Sequence, residues 1–181
     1  MKAYALLLRG INVGGKNKLP MAGLKSFLEE HGGADVRTYI QSGNAVLRSA
    51  LDAKTLGASV ERSLHKEFTL DSASIRVLVL TKKQLQSIVD DRPKGFGDQP
   101  AKYHSDVVFL MGIASGEAMR SFAPREGVDT IWQGSQVIYS QRLSALRTKS
   151  RLNRVMATPA YQSMTIRNWN TTTKLLAMLA E

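Results

Sequence analysis

The feature that most constrains the fold is the order in which two hydrophobic periodicities alternate along the first half of the chain. Ala3 to Leu8 alternates, placing Tyr4, Leu6 and Leu8 on one face of a strand. Pro20 then stands where a first helical turn tolerates it. Met21, Leu24, Phe27 and Leu28 follow as an apolar helical stripe that Gly32 and Gly33 close. Val36 to Ile40 and Ala45 to Arg48 read as short strands flanking Gln41-Ser42-Gly43-Asn44, a hairpin connection. Asp52 is placed to cap a helix carrying Leu56, Val60, Leu64 and Phe68, and Ser74 to Leu80 reads as a strong strand. Strand, helix, strand, strand, helix, strand is the split βαβ, or ferredoxin-like, order.

The second half repeats that order less regularly. Thr81 and Gln84 form a capping-box pattern for a helix with Leu85, Ile88 and Val89. Asp91 to Ser105 is rich in proline, glycine and charge, and reads as a linker. Beyond it come a strand at Val107 to Met111, a helix near Ser115 to Phe122, and a hairpin of Thr130–Trp132 and Val137–Tyr139 around Gly134. A helix over Ser144 to Met156, then the segment Thr165 to Asn170 and a helix holding Leu175, Leu176 and Leu179 complete it. The expected fold is α+β with two ferredoxin-like subdomains, the second less regular. Its expected divisions are 1–90, a linker at 91–105, and 106–181. No residue-level repeat marks a duplication.

Topology brings distant polar strings together. With the first strand running up, the loop after it and the hairpin between the second and third strands lie at the same end of the sheet. Those segments hold Arg9, Gly10, Asn12, Gly14, Gly15, Lys16 and Lys18, then Gln41, Ser42, Gly43 and Asn44. Arg167, Asn168, Trp169, Asn170 and Thr171 form a third string near the other terminus. Each string combines charge or glycine-exposed backbone with amide side chains, the chemistry of an anion grip. Gly10 to Lys16 has the G-x-x-x-x-G-K spacing of a phosphate loop, but Asn17 stands where a magnesium-binding Ser or Thr belongs. Pro20 also delays the helix, so nucleoside triphosphatase chemistry is excluded.

Charge is segregated in the same way. Residues 1–28 carry five basic side chains and no acid, and 130–180 carry seven and no acid, while the middle is nearly neutral. The net charge of +10 therefore lies with the first and third strings, which favours polyanions or phosphorylated ligands. Arg147, Arg151 and Arg154 share one face of the expected 144–156 helix and form a candidate nucleic-acid face. The chain has no cysteine, so disulfides and thiolate chemistry are excluded. The apolar run before Arg9 is too short for a membrane span, and the expected location is the cytoplasm. His31, His65 and His104 stand apart without metal spacing, no nucleophile elbow occurs, and neither a metal nor a cofactor is expected. Ala45-Val46-Leu47-Arg48 lacks the aromatics with which a central strand stacks RNA bases.

The strings LLRGINVGGKNKLPM, VRTYIQSGNAVL and TIRNWNTTTKLLAML resemble a bacterial family catalogued as domain of unknown function 1697. The resemblance implies an α+β protein of two subdomains and no established activity, substrate or cofactor. Its motif positions are Arg9, Asn12, Gly14, Gly15 and Lys16, then Gln41, Ser42, Gly43 and Asn44, then Arg167, Asn168, Asn170 and Thr171.

Three functions fit these readings. The leading one is a binding protein for a phosphate-bearing ligand, with nucleic acid its large form. The second is a small enzyme acting on a phosphorylated metabolite, with Lys16 or Arg167 stabilising developing charge. The third is an interaction module whose polar strings lock two lobes together.

Overall fold

The computed structural model describes residues 1–70 and 75–181. Strand β1 (Lys2–Arg9) is followed by α1 (Met21–Glu30), the hairpin β2 (Ala34–Tyr39) and β3 (Asn44–Ser49), α2 (Ala53–Glu67) and β4 (Arg76–Thr81). The four strands form an antiparallel sheet in the order β2-β3-β1-β4, the order a ferredoxin-like chain path produces. Period-two alternation decides its faces. Tyr4, Leu6 and Leu8 of β1, flanked by Ala45, Leu47 and Val79, pack under Leu24, Phe27 and Leu28 of α1 and Leu56, Val60 and Leu64 of α2. Asp52 caps α2 through the N–H of Thr55 at 3.0 Å, as its position before the apolar stripe foretells. Ser74, read above as the start of the fourth strand, lies outside the described residues.

Helix α3 (Lys82–Asp90) follows, opened by the reciprocal Thr81–Gln84 capping box. Then come β5 (Tyr103–Leu110), the short α4 (Ser115–Met119), the hairpin β6 (Asp129–Gln133) and β7 (Val137–Leu143), β8 (Met164–Asn168) and α5 (Trp169–Met178). The second antiparallel sheet, β6-β7-β5-β8, has the same topology as the first. The match extends to the turns. The N–H of Leu8 donates to Gly43 O at 2.8 Å in the first sheet, and that of Leu110 donates to Gln136 O at 3.1 Å in the second. Two residues beyond each donor, Gly10 (φ +86°) and Gly112 (φ +81°) turn the chain out of the strand through the left-handed region.

The second unit departs from the pattern where its second long helix belongs. Residues 144–163 form three short 3₁₀ helices, Ser144–Lys149, Leu152–Ala157 and Pro159–Ser163. A continuous 144–156 helix does not form, because Ser150 is extended (φ −60°, ψ 144°). Arg147 and Arg154 consequently lie on separate helices with Arg151 at the break, and the three do not form one helical stripe.

By contacts the chain divides into residues 1–86 with 174–181, and residues 87–173. Residues 91–105, read above as a linker, belong to the second unit. Phe96 is fully buried there, edge-on to Trp132, Tyr139 and Trp169. The Tyr139 hydroxyl donates to Ile88 O at 2.6 Å, and burial with the nearby Asp91 charge pushes its pKa up to about 12. Among the described residues no helix is long and apolar enough to cross a membrane.

Candidate functional site

In the first unit the first two polar strings meet. Val13-Gly14-Gly15-Lys16 is a tight reversal closed by Lys16 N to Val13 O at 3.0 Å, with both glycines at positive φ as a type I′ turn requires. Behind this exposed tip, Asn12 (φ +53°) acts as a clamp. Its Oδ1 accepts the N–H of Leu19 at 2.8 Å, and its Nδ2 donates to Leu19 O at 2.9 Å and Gln41 O at 2.8 Å. Asn17, nearly buried, donates from Nδ2 to Gly10 O at 2.8 Å. In the hairpin, the buried Asn44 donates to Tyr39 O at 3.1 Å and Ser42 Oγ at 2.9 Å. The amides thus answer backbone and hydroxyl groups of the loops themselves. Lys16, Lys18 and Gln41 are exposed, and Arg9 is half-buried directly across from Arg76 in the β1–β4 register.

The third string belongs to the second unit and is divided in role. Arg167 is only 8% exposed. Its guanidinium donates to Thr165 Oγ1 at 3.0 Å and Ile166 O at 2.8 Å, and burial pulls its pKa down to about 10, partly opposed by Tyr161. It remains a cation at neutral pH, held inside the protein. Asn168 caps α5 by accepting the N–H of Thr171 at 2.8 Å, and Thr171 is buried. Asn170 is exposed.

One end of the second sheet carries a charged ladder that no string anticipates. On the face that is apolar at Val108 and Ile138, the next rows read Ser140–Asp106–Asn168 and Asp129–Arg142–His104 in cross-strand register. The Asp106 carboxylate, 7% exposed, bonds Arg142 Nη1 at 2.6 Å through one oxygen and faces His104 Nε2 at 3.3 Å through the other. Arg142 also lines a cleft of about 350 Å³ with Arg147, Thr148, Ser150 and Asn153. None of these lining residues is acidic.

Residues 1–139 match the family model described as "Protein of unknown function (DUF1697)". The chain belongs to this family. The matched span includes the first two polar strings, and the third lies beyond it. A solved structure, the conserved bacterial protein SP0830 from Streptococcus pneumoniae, is similar over 100% of this chain and 99% of that one, with 25% identity and a TM-score of 0.80. None of the curated proteins matches the chain. The two-sheet α+β architecture is thus shared with a conserved bacterial protein.

Local chemistry explains how the ladder and its cleft are built. Asp129 gathers the segment that overhangs the sheet end, accepting the backbone N–H groups of Arg125 and Arg151 at 2.9 Å each. Partial burial pushes its carboxyl up. The Arg151 N–H, the Ser150 hydroxyl, the Arg125 N–H and the Arg142 charge outweigh that, and its pKa falls below the ordinary 3.8. A carboxylate of lowered pKa stabilises the fold above its unfolded value and loses that contribution as pH falls through the folded one. Asp129→Asn is therefore expected to lower the urea midpoint at pH 7, and the gap to the parent protein to narrow below about pH 4. A gap that stays constant down to pH 2.5 in urea titrations would show that the charge is irrelevant.

The Asp106 cluster was missed in the sequence because His104-Ser105-Asp106 is polar, and a polar run in a proline- and glycine-rich stretch reads as linker. The available signal was spacing. His104, Asp106, Val108 and Leu110 fall on alternate positions, so one strand face runs from charged to apolar. Two other clefts mix the two signs of charge. One of about 250 Å³ in the first unit sets Asp35 and Glu181 beside Arg37 and Arg48, and Arg37 already bonds Glu181 and Met178 O.

Proposed function

We propose that this protein binds a phosphate-bearing anion and that the cleft of Arg142, Arg147, Thr148, Ser150 and Asn153 is where it does so. The observation that carries the reading is the division of charge around this cleft. Asp106 and Asp129 are engaged by Arg142, His104, the Ser150 hydroxyl and backbone N–H groups, whereas Arg147 is exposed beside the Thr148 hydroxyl with no lining carboxylate. Arg142 is braced by a nearly buried carboxylate, which fixes its guanidinium before any ligand arrives and lowers the ordering cost of binding. A guanidinium pair with a hydroxyl donor beside it suits phosphate oxygens, which accept charge-assisted hydrogen bonds from fixed forks. Lys149 and Arg154 are exposed on either side in sequence and extend the positive field.

The glycine loop is the other candidate for the same role, carried by exposed Lys16 and Lys18. Its asparagines favour a locking role, since Asn12, Asn17 and Asn44 bond the loop and hairpin to themselves and to each other. Calorimetric titration with inorganic phosphate and pyrophosphate at low salt separates the two. Arg147→Ala is expected to weaken pyrophosphate binding about tenfold or more, with Lys16→Ala leaving it unchanged. The reverse pattern would move the site to the loop. Absence of heat with either anion would end the anion reading.

A further inference from the structure

The mixed-charge cleft of about 250 Å³ belongs wholly to the first unit. It lies by the start of β1, the end opposite the glycine loop, where Met178, Leu179 and Glu181 line it together with residues of β1, β2 and β3. We propose that this cleft binds a free α-amino acid with an aliphatic side chain, its carboxylate held by Arg48 and its ammonium group by Asp35. The site is separate from the anion cleft of the second unit and stands or falls without it.

Small residues and an irregular strand make the space. On this face of the sheet the cross-strand rows read Ala34–Arg48–Ala3 and Arg37–Val46–Ala5. Arg48 therefore stands between two methyl side chains, neither long enough to cover its stem or fill the room beside its guanidinium. Between the two rows β2 carries one residue more than β3, since Ala34 pairs with Arg48 and Arg37 with Val46. A bulge of this kind aims a side chain out of the regular alternation. Asp35 sits in it at φ +53°, a left-handed conformation that Asp and Asn tolerate better than most side chains, and it is exposed in the cleft wall.

Four charged side chains line the cleft, and two of them answer each other. Arg37 donates to the Glu181 carboxylate and to Met178 O. The side chains of Asp35 and Arg48 make no ion pair or hydrogen bond among the described residues, so the remaining two opposite charges share one cleft without meeting. A ligand with a single charge is drawn to one of them and repelled by the other. A phosphate fares worst, because Asp35 and Glu181 both oppose it. A zwitterion gains at both ends. The planar guanidinium fork of Arg48 matches a carboxylate, and the Asp35 carboxylate accepts hydrogen bonds from an ammonium group. Between these ends the cleft is apolar. Ala3, Val46, Met178 and Leu179 line it, and an aliphatic side chain laid against them leaves water favourably. The volume falls below the roughly 300 Å³ at which pockets for drug-sized ligands begin, which suits a compact ligand.

Amide NMR on the full chain tests this with three probes. They are L-leucine, 4-methylpentanoate, which is leucine without its ammonium group, and 3-methylbutylamine, which is leucine without its carboxylate. Leucine is expected to shift the amides of residues 34–37 and 46–48. Saturation is expected at about millimolar concentration, because exposed ion pairs are individually weak. Each analogue is expected to bind at least about fivefold more weakly than leucine. Arg48→Gln is expected to weaken leucine and 4-methylpentanoate without weakening the amine. Asp35→Asn is expected to weaken leucine and the amine without weakening the acid. Both variants keep the fold, since Arg48 is exposed and asparagine adopts φ +53° readily. A merely structural role for either residue would weaken all three probes alike, and that result overturns the proposal. It is also overturned if leucine gives no saturable shift up to about 20 mM, if the shifts fall on other residues, or if either analogue binds as tightly as leucine.

Discussion

Replacing Gly43 with alanine is expected to lower stability by about 3 kcal/mol, among the larger effects of exchanging one hydrogen of this chain for a methyl group. Two costs coincide. Gly43 has φ +74°, where a side chain is strained, and its Cβ would stand 2.6 Å from Ile11 Cδ1 and 2.9 Å from Leu8 Cβ. Leu8 cannot retreat. It is 1% exposed, it is part of the central strand, and its own N–H donates to Gly43 O at 2.8 Å. Ile11 leads into the loop clamped by Asn12, so the strain passes directly into the junction of the two polar strings. Gly14→Ala is the control, because φ is +58° there but nothing lies within 4 Å of the added carbon. It is expected to cost only about 1 kcal/mol. Thermal melts of the two variants decide the matter. For a chain of this size the Gly43→Ala loss corresponds to roughly 6 to 12 °C. Equal shifts would show that the hairpin and loop are not packed against each other as described.

Asp106→Ala is expected to cost a similar amount, about 3 kcal/mol, by a different route. The carboxylate is 7% exposed and answers both Arg142, itself 14% exposed, and His104. Deleting it leaves a guanidinium in a largely dry position without its counter-charge, and removing one partner of a buried pair costs more than the pair contributes. Asp106→Asn should lose nearly as much, since it keeps the shape and discards the charge. Replacing both Asp106 and Arg142 with leucine should recover part of the loss, because no guanidinium is then left without its bonded carboxylate. Urea unfolding of the three variants checks this. A loss below about 0.5 kcal/mol for Asp106→Ala would mean that solvent already reaches the pair. The same substitution removes the brace on Arg142, so pyrophosphate affinity is expected to fall with it.

Both effects depend on neighbours that sequence spacing reveals unevenly. Asn12 and Gln41 are far apart in the chain, yet their meeting follows from strand order alone. An antiparallel ferredoxin-like path puts the first loop and the first hairpin at one end, and the N–H of Leu8 reaching Gly43 O is that rule in atoms. The use made of those residues was not legible in the same way. An asparagine that clamps a loop and one that grips an anion have the same composition and the same flanking glycines. Only the acceptors within reach of Nδ2 distinguish them, and here those are Leu19 O, Gln41 O, Gly10 O and Tyr39 O.

By itself the sequence determined the alternation of elements, the faces of the strands, the Asp52 and Thr81 caps, and the α+β class. These are written in short-range periodicity and local hydrogen bonding, which act before distant segments meet. Tertiary structure decided where the charges went. Arg167 became a buried cation because β8 lies beside β5. Arg147 and Arg154 were separated because Asp129, from the β6 edge, draws in the N–H of Arg151 where a continuous helix would otherwise run. Asp106, His104 and Arg142 became one cluster only when β5 and β7 paired in register. A charge's role depends on the dielectric and the partners around it, and both are properties of the assembled sheet rather than of the residue.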